Sequence, residues 1–375
     1  MKSVCTKAHL RRRKLGGSFA ADILDLLEGT RDLRSTFASD KVYGILGLVD
    51  GAAMVEVDYA KRPEDVFTDL AVHYLRGGLL HVLCYCVESS APAMLKLPSW
   101  VPDWTRPGYV EPLLTRGLGC KAAGDTSPQC EIDVQAGEIR LQGRLLDTVR
   151  VVDEKTKIPL TTVLPDWRNM SDTDPRARTK DKYRREQRNI HESWENMLRL
   201  AWPSPEDFTW AKHEALWRTF MCNRTRENEV PQGDNYGPAW ERLLEWMHSH
   251  TLDADGEDEE MPYIRTVVPQ TMSSILGELL GHFGRDGMLD MVRGAHMKWC
   301  YHRRFFVSEA ERYGWAADGA LPGDIIVAFY GCDYPFLLRG VHGGYRIVSD
   351  CYIHGLMDGE CLETEDFQER EFLIL

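Results

Sequence analysis

The side chains best suited to chemistry lie between residues 303 and 360, and the first of them are three arginines. Arg303, Arg304 and Arg339 carry guanidinium groups, which bind carboxylates or phosphates through paired hydrogen bonds, so one interpretation is an anion site. An arginine within an apolar run such as Phe336–Arg339 needs a carboxylate partner once it is buried. The neighbouring acids are Asp324, Asp350 and Glu360. This arrangement favours ion pairs that stabilise the fold over an anion site.

A histidine and two acids follow at His354, Asp358 and Glu360. Together with a third ligand from elsewhere they would suit a divalent cation. Asp358-Gly359 is also a common turn dipeptide, in which the aspartate binds its own backbone, and we favour that interpretation. Cys351 and His354 would face opposite sides of a strand, which argues against a thiol nucleophile.

The motifs of common enzyme classes are absent from the sequence. It contains no GxSxG, no HExxH, no Walker A and no GxGxxG that follows a strand. Its ten cysteines include no CxxC pair, and Cys84 and Cys86 alone are too few ligands for zinc. The sequence therefore predicts no catalytic residue, no metal site and no cofactor.

Two tryptophans lie on a stiff connector, Leu97–Trp104, whose sequence is LPSWVPDW. Its two prolines push the residues before them toward extended geometry. Trp100 and Trp104 would either grip a ligand or partner, or anchor the connector on a core. The pattern favours the anchoring role, and both tryptophans remain candidate binding residues.

The net charge of the chain restricts the classes of partner that the protein is expected to bind. The net charge is −13 and the pI is near 5.4, whereas a nucleic-acid-binding protein is expected to have a basic surface. Met1–Gly17 holds six basic residues and Asp253–Glu260 holds six acids, and we interpret both runs as solvated segments. No stretch reaches the roughly 18 apolar residues of a membrane helix, and the scattered cysteines suit a reducing compartment. We therefore expect a cytoplasmic protein that binds neither nucleic acid nor membrane.

Helical periodicity organises the chain before residue 300. Phe19–Glu28 and Pro63–Leu75 have the apolar spacing of helices, and glycines follow both segments. Lys41–Leu48 is short enough to be a strand or a buried helix, and Val55–Tyr59 is predicted as a strand. Further helices are predicted at residues 192–202, 205–220, 236–248 and 270–283.

Strand patterns occur in two places. Glu131–Val152 alternates around Gly137 and Gly143 and is predicted as a hairpin or meander, with Ile139, Leu141 and Leu145-Leu146 on its inner face. Near the C-terminus, the runs IIVAFY, FLLRGV and YRIVSDCYI are separated by glycine turns. With the Phe305-Phe306 segment they predict a small open barrel or curled sheet.

The predicted fold class is therefore α+β, with helical segments and a small C-terminal β barrel or curled antiparallel sheet. Four segments are expected. They are an α/β segment at 1–110, a β hairpin or meander at 111–155 able to pair with the C-terminal module, a mostly helical insert at 156–300 with an acidic loop at 253–260, and the β module at 301–375.

Several of these segments together resemble the fungal heterokaryon incompatibility (HET-domain) proteins. Phe37–Leu48, FASDKVYGILGL, is similar to the family's RDKVYALLGL stretch, with Ser39 in place of the usual arginine. The other matching segments are Val57–Tyr59 with Pro63–Phe67, Leu97–Trp104, Leu216–Thr219 and Phe305–Glu360. In family members the HET domain lies before this stretch, with YxALSYxWG, WIDaICINQ and WxvQE motifs that do not occur here. The resemblance therefore covers the post-HET region only, as expected of a truncated product or a fragmentary gene sequence.

The resemblance implies a non-catalytic accessory or regulatory region linked to non-self recognition and programmed cell death. The HET domain is thought to be remotely similar to TIR domains, some of which cleave NAD, so a NAD-cleaving hydrolase is the alternative, beside another hydrolase that uses Asp350, His354 and Glu360. No catalytic residue of the family falls on a position of this chain. The expected partner is a protein or the missing HET domain. An exposed apolar face near residues 19–59 would mark its interface.

Overall fold

Among the described residues, the α-helices precede residue 300 and most of the strands follow it. The computed structural model describes residues 23–49, 55–88, 95–106, 110–153, 193–249, 285–300 and 302–375. The helices are α1 Ile23–Thr30, α2 Asp40–Leu46, α3 Pro63–Arg76, α4 Leu113–Arg116, α5 over residues 193–201, α6 Trp210–Phe220, α7 Gly233–Ser249 and α8 Arg285–Trp299. The strands are β1 Cys130–Asp133, β2 Glu138–Val152, β3 Arg304–Ser308, β4 Tyr313–Ala316, β5 Ile325–Phe329, β6 Phe336–Val341, β7 Gly344–Asp350, β8 Tyr352–Ile353 and β9 Glu369–Ile374. The predicted helix at 270–283, the basic run at 1–17 and the acidic run at 253–260 lie outside the described residues.

The described residues divide into two compact units, and the α+β fold class is confirmed. The first, which we call the barrel unit, takes its residues from 1–148, 317–351 and 355–375. The second, the helical unit, takes its residues from 149–316 and 352–354. None of the described helices combines the length and the apolar character that crossing a bilayer requires.

Five strands of the barrel unit pair in a closed ring. β2 pairs with both β5 and β9, β5 pairs with β6, and β6 pairs with β7, all antiparallel. A parallel contact between β7 and β9 completes the ring. The expected C-terminal sheet is therefore present, but its composition differs from the prediction. Phe305-Phe306 belongs to β3, which pairs with β4 and the end of β2 in the helical unit, and the ring uses β2 and β9 instead.

Gly143 lies where β2 changes partner within the ring. It is opposite Phe329 of β5 and Arg370 of β9. A Cβ atom at this position would lie 2.4 Å from the carbonyl oxygen of Ala328, so only glycine allows the two backbones to approach this closely. Gly143 thus lies inside a strand, whereas Gly137, with φ of +72°, lies in the turn between β1 and β2.

Two short segments of the barrel unit show how turn chemistry competes with apolar patterning. Lys41–Leu48 forms α2 for most of its length, because its buried side chains recur at helical spacing. They are Val42, Tyr43, Ile45 and Leu46. The predicted strand at Val55–Tyr59 is wrong. There, Asp58 Oδ1 accepts a hydrogen bond from the Ala60 N–H at 2.8 Å, and Tyr43 Oη donates to the Asp58 carbonyl at 3.0 Å.

The helical unit is organised around the end of α6, whose last carbonyl groups have no partners within the helix. Trp315 Nε1 donates to the Thr219 carbonyl at 2.6 Å. His296 Nδ1 lies 2.7 Å from the Phe220 carbonyl, which also accepts from Cys300 Sγ at 3.1 Å. The His296 ring stacks on Phe220 with centroids 3.9 Å apart. Neutral rings and a thiol thus complete the helix end.

The predicted helix at 205–220 is interrupted near its start. Pro205–Asp207 forms a 3-10 turn, and the α-helix begins only at Trp210. Thr209 caps it, since its side chain accepts a hydrogen bond from the Lys212 N–H at 3.2 Å.

Candidate functional site

The connector Leu97–Trp104 is fixed in the barrel unit by its two tryptophans. Trp100 is fully buried, and its Nε1 donates to the Gly137 carbonyl at 2.9 Å. Trp104 is also fully buried and packs against Tyr85, with ring centroids 5.4 Å apart. Both indoles therefore occupy core positions, and neither lines the cavity described below.

Arg31 links the connector to α1. Its guanidinium carbon lies 4.7 Å from the centroid of the Trp104 ring, and its Nη2 donates to the Tyr85 carbonyl at 3.3 Å. Its Nε lies 2.9 Å from Glu28 Oε2. Burial raises the pKa of Glu28, and the charge of Arg31 opposes that rise. The pair holds the connector against α1, which explains two charged side chains in this core.

A cavity of about 230 Å³, the connector cavity, lies beside this segment within the barrel unit. Its apolar wall includes Leu97, Val101 and Ile347. Its polar lining consists of Glu88, Ser99, Asp103, Arg106 and Arg346. The surface of the cavity is more polar than apolar, so it suits a polar or charged ligand better than an apolar one.

Local hydrogen bonds hold the polar lining in place. Ser99 Oγ accepts from the Ile347 N–H at 3.1 Å and donates to the Leu375 carbonyl. Asp103 Oδ1 accepts from the Thr105 N–H at 3.0 Å, and Asp103 Oδ2 lies 3.2 Å from Arg106 Nε. The wall on the connector side is thus fixed by its own turn and by the neighbouring strand β7.

Arg339 neutralises the acid on the other side of the cavity. Its Nη1 donates to Glu88 Oε2 at 2.8 Å, while Nε and Nη2 bind the two oxygens of Asp324 at 2.9 and 2.8 Å. Asp324 is buried, and its hydrogen bond raises the pKa of Arg339. With Nη2 also donating to the Gly319 carbonyl, Arg339 has each of its nitrogens engaged within the protein. It therefore serves as an ion-pair partner in this structure.

The other two predicted arginines belong to the helical unit. Arg303 is fully buried, and Arg304 Nε donates to the Asp153 carbonyl at 2.7 Å. Since Arg339 is part of the barrel unit, no described contact joins the three arginines in one anion site.

The predicted cluster of His354, Asp358 and Glu360 is likewise divided between the units. In the helical unit, His354 Nδ1 lies 3.0 Å from Tyr352 Oη, and burial lowers the pKa of His354 to about 4. In the barrel unit, the Asp358 N–H donates to Glu360 Oε2 at 2.7 Å within a turn. Over the part of the chain that the structure describes, no three metal-binding side chains converge.

Sequence reasoning did not single out Glu88, Asp103, Arg106 or Arg346 as site residues. Two signals were available. Asp103 and Arg106 are three residues apart at the end of the connector, a spacing that suits an ion pair. Arg346 is the exposed position of the strand run YRIVSD, next to a buried neighbour. Neither signal indicates which side of the connector opens into a cavity.

Most strands of the ring lie in a part of the chain that matches a known protein family. Residues 289–375 match the family described as the Het-6 beta-barrel domain. This match contains β3 to β9, whereas β2, which closes the ring, lies outside it. The resemblance to the heterokaryon incompatibility proteins that was drawn from the motifs is confirmed.

One protein to which the chain is similar is heterokaryon incompatibility protein 6, OR allele, of Neurospora crassa. It is 24% identical over 384 aligned positions, which include 92% of this chain and 52% of the relative. The chain thus spans about half the length of this curated relative. No solved structure matches this chain.

Proposed function

We propose that this chain acts in fungal heterokaryon incompatibility as a non-catalytic accessory or regulatory region, linked to non-self recognition and programmed cell death. The observation that carries the proposal is the similarity to heterokaryon incompatibility protein 6 across 92% of the chain. Because only about half of that relative is matched, the proposal concerns what this half contributes. It does not assign the whole relative's activity to this chain.

The partner we propose is a protein, which includes a HET domain on the same or another chain. Large apolar side chains with more than half their surface exposed concentrate, among the described residues, between positions 33 and 59 of the barrel unit. They are Leu33, Phe37, Leu48, Val57 and Tyr59, which we call the apolar stretch. Exposed apolar surface of this kind is typical of protein interfaces.

The remaining parts of the proposal concern location and excluded partners. The net charge of −13 supports a partner other than nucleic acid. Nine of the ten cysteines fall in the described residues, and all nine are free thiols, mostly buried. Free thiols suit a reducing compartment, so we place the protein in the cytoplasm rather than on a membrane.

Expression of the chain in a fungal host, scored for growth arrest, tests the incompatibility role. We expect arrest on induction of the wild-type chain. Normal growth at comparable protein levels would contradict the proposal.

The alternative is a NAD-cleaving or other hydrolase, and it has a separate test. Purified chain is incubated with NAD and nicotinamide release is followed over time. The proposal predicts no release above a protein-free control. Release that Glu360→Ala abolishes would show that the region is an enzyme and would replace the non-catalytic role.

A further inference from the structure

We propose that the connector cavity binds a small anion: a molecule with one carboxylate or phosphate group and a compact apolar body. This site is independent of the protein partner proposed above.

One of the arginines at the cavity has no acidic partner, although the charges around it balance. Asp103 is paired with Arg106 at 3.2 Å, and Glu88 shares Arg339 with Asp324, at 2.8 Å from each acid. Arg346 pairs with Arg339 through the sheet backbone, but its side chain makes no ion pair or hydrogen bond to the described residues. Both acids of the lining are therefore engaged within the protein, while the guanidinium of Arg346 remains available to an external anion.

Arg106 adds a second guanidinium to the same cavity. It contacts Asp103 through Nε, and its terminal nitrogens make no hydrogen bond to the part of the chain described. Its side chain is 20% exposed, so these nitrogens are partly removed from solvent. Arginine binds carboxylate and phosphate oxygens in bidentate geometry, and two such groups at one cavity select for an oxyanion.

The rest of the lining determines the size and the polarity of the ligand. Leu97, Val101 and Ile347 supply apolar contact beside the two arginines. A volume of about 230 Å³ suits one acidic group on a small ring or short chain. The net charge of −13 repels anions in general, so binding at this position would require the local arrangement.

Isothermal titration of the full chain with phenyl phosphate and, separately, with benzoate tests the proposal. We expect saturable binding of one molecule per chain for at least one of them. Arg346→Gln and Arg106→Gln should each weaken it about tenfold or more, the usual range for a charge-assisted hydrogen bond. Leu97→Phe, which keeps both arginines but reduces the cavity, should weaken it too. The tighter probe identifies whether the natural group is a phosphate or a carboxylate.

Lys96→Gln is the matched control, because Lys96 is an exposed cation next to the lining but outside it. It should leave the affinity within about twofold of wild type. An equal loss of affinity in Lys96→Gln and Arg346→Gln would show that the binding depends only on surface charge, and it would contradict the proposed site. So would the absence of saturable binding to either probe, or binding that neither Leu97→Phe nor the arginine variants weaken. Circular dichroism of each variant confirms that it is folded before titration.

Discussion

Two interior sites of the molecule satisfy their polar groups with different side chains, which are charged around Asp324 in the barrel unit and neutral at the end of α6 in the helical unit. In the barrel unit, Arg339 binds Asp324 and Glu88, and Arg144 donates to three carbonyl groups of a nearby loop at 3.1–3.3 Å. In the helical unit, the end of α6 is completed by an imidazole and an indole. These belong to His296 and Trp315.

This difference has a physical consequence. A guanidinium stays protonated at any pH at which proteins fold, and it leaves a buried carboxylate unpaired when it is removed. A fully buried imidazole such as that of His296 is favoured in its neutral form, because burial disfavours the charged form, and its removal leaves no unpaired charge. The barrel unit should therefore be sensitive to loss of a partner, and the helical unit to acid.

The largest effect is expected for Arg339→Ala. It leaves the buried carboxylate of Asp324 without its cation, so we expect a loss of about 3–5 kcal/mol in the free energy of unfolding of the barrel unit. Urea denaturation monitored by hydrogen exchange of β5 and β6 measures it. Arg140→Ala is the control, because Arg140 and Glu371 are nearly half exposed and their pair is worth about 0–1 kcal/mol. Equal losses in the two variants would contradict the charged-core account.

Gly143→Ala should cause the next largest loss of stability. The new Cβ would meet the Ala328 carbonyl, and overpacking of this kind costs about 1–3 kcal/mol or more. Gly340→Ala in β6 is the control, because nothing lies within 4 Å of its added Cβ. We expect faster exchange of the amides of β2, β5 and β9 in the first variant and little change in the second. Similar stability of the two variants would show that the ring does not depend on the close approach at Gly143.

The sequence predicted the local elements of the barrel unit better than their partners. The strands β5, β6 and β7 follow from apolar runs bounded by Gly323, Gly331 and Gly343, since each of these glycines has positive φ. A pairing of the 111–155 segment with the C-terminal module was expected, but its particular partners β5 and β9 are far away in sequence, and no local pattern specifies them. The constraint at Gly143 likewise comes from a neighbouring strand, so the local sequence does not reveal it.

The candidate site was predictable only in part. LPSWVPDW stands out because two prolines and two tryptophans occur in eight residues, and the structure places this segment at the cavity. Arg346 lines the same cavity but lies on a strand that is distant in sequence. Its position in the alternating pattern of YRIVSD indicates only that it is exposed. His354, Asp358 and Glu360 are close in sequence, but His354 belongs to the helical unit and the two acids belong to the barrel unit.

Lowering the pH should destabilise the helical unit before it destabilises the barrel unit. Burial lowers the pKa of both His213 and His296 from 6.5 to about 4, so the unfolded chain binds more protons than the folded one between these values. The stabilisation is fully present above pH 6.5 and is lost as the pH falls toward 4. The buried His296 alone should contribute about 2–3 kcal/mol, since one pKa unit is about 1.4 kcal/mol.

Hydrogen exchange at pH 7, 5.5 and 4.5 measures this effect, with rates corrected for intrinsic pH dependence. Protection should fall in residues 193–249 and 285–300 before it falls in β5, β6 and β7. Earlier loss of protection in the barrel strands would contradict the comparison.

Trp315→Phe should have the smallest effect of this series. It keeps an aromatic ring in the core and removes the indole donor from the Thr219 carbonyl, which still accepts from the Cys222 N–H at 2.9 Å, so the cost should be about 0.5–1.5 kcal/mol. The loss should appear as faster exchange at the end of α6, with the barrel strands unchanged. Unchanged protection at residues 216–222 would show that this hydrogen bond does not complete the helix end.

The most direct test of the central claim, that this chain acts by binding a protein partner, is the fungal growth assay with matched variants. Phe37→Ser combined with Leu48→Ser removes two exposed apolar side chains of the apolar stretch, and Leu79→Ser removes a similarly exposed leucine of the barrel unit outside it. At equal protein levels, we predict growth arrest with the wild-type chain and with Leu79→Ser, and normal growth with the double variant. Arrest by the double variant as strong as that by the wild type would contradict the claim.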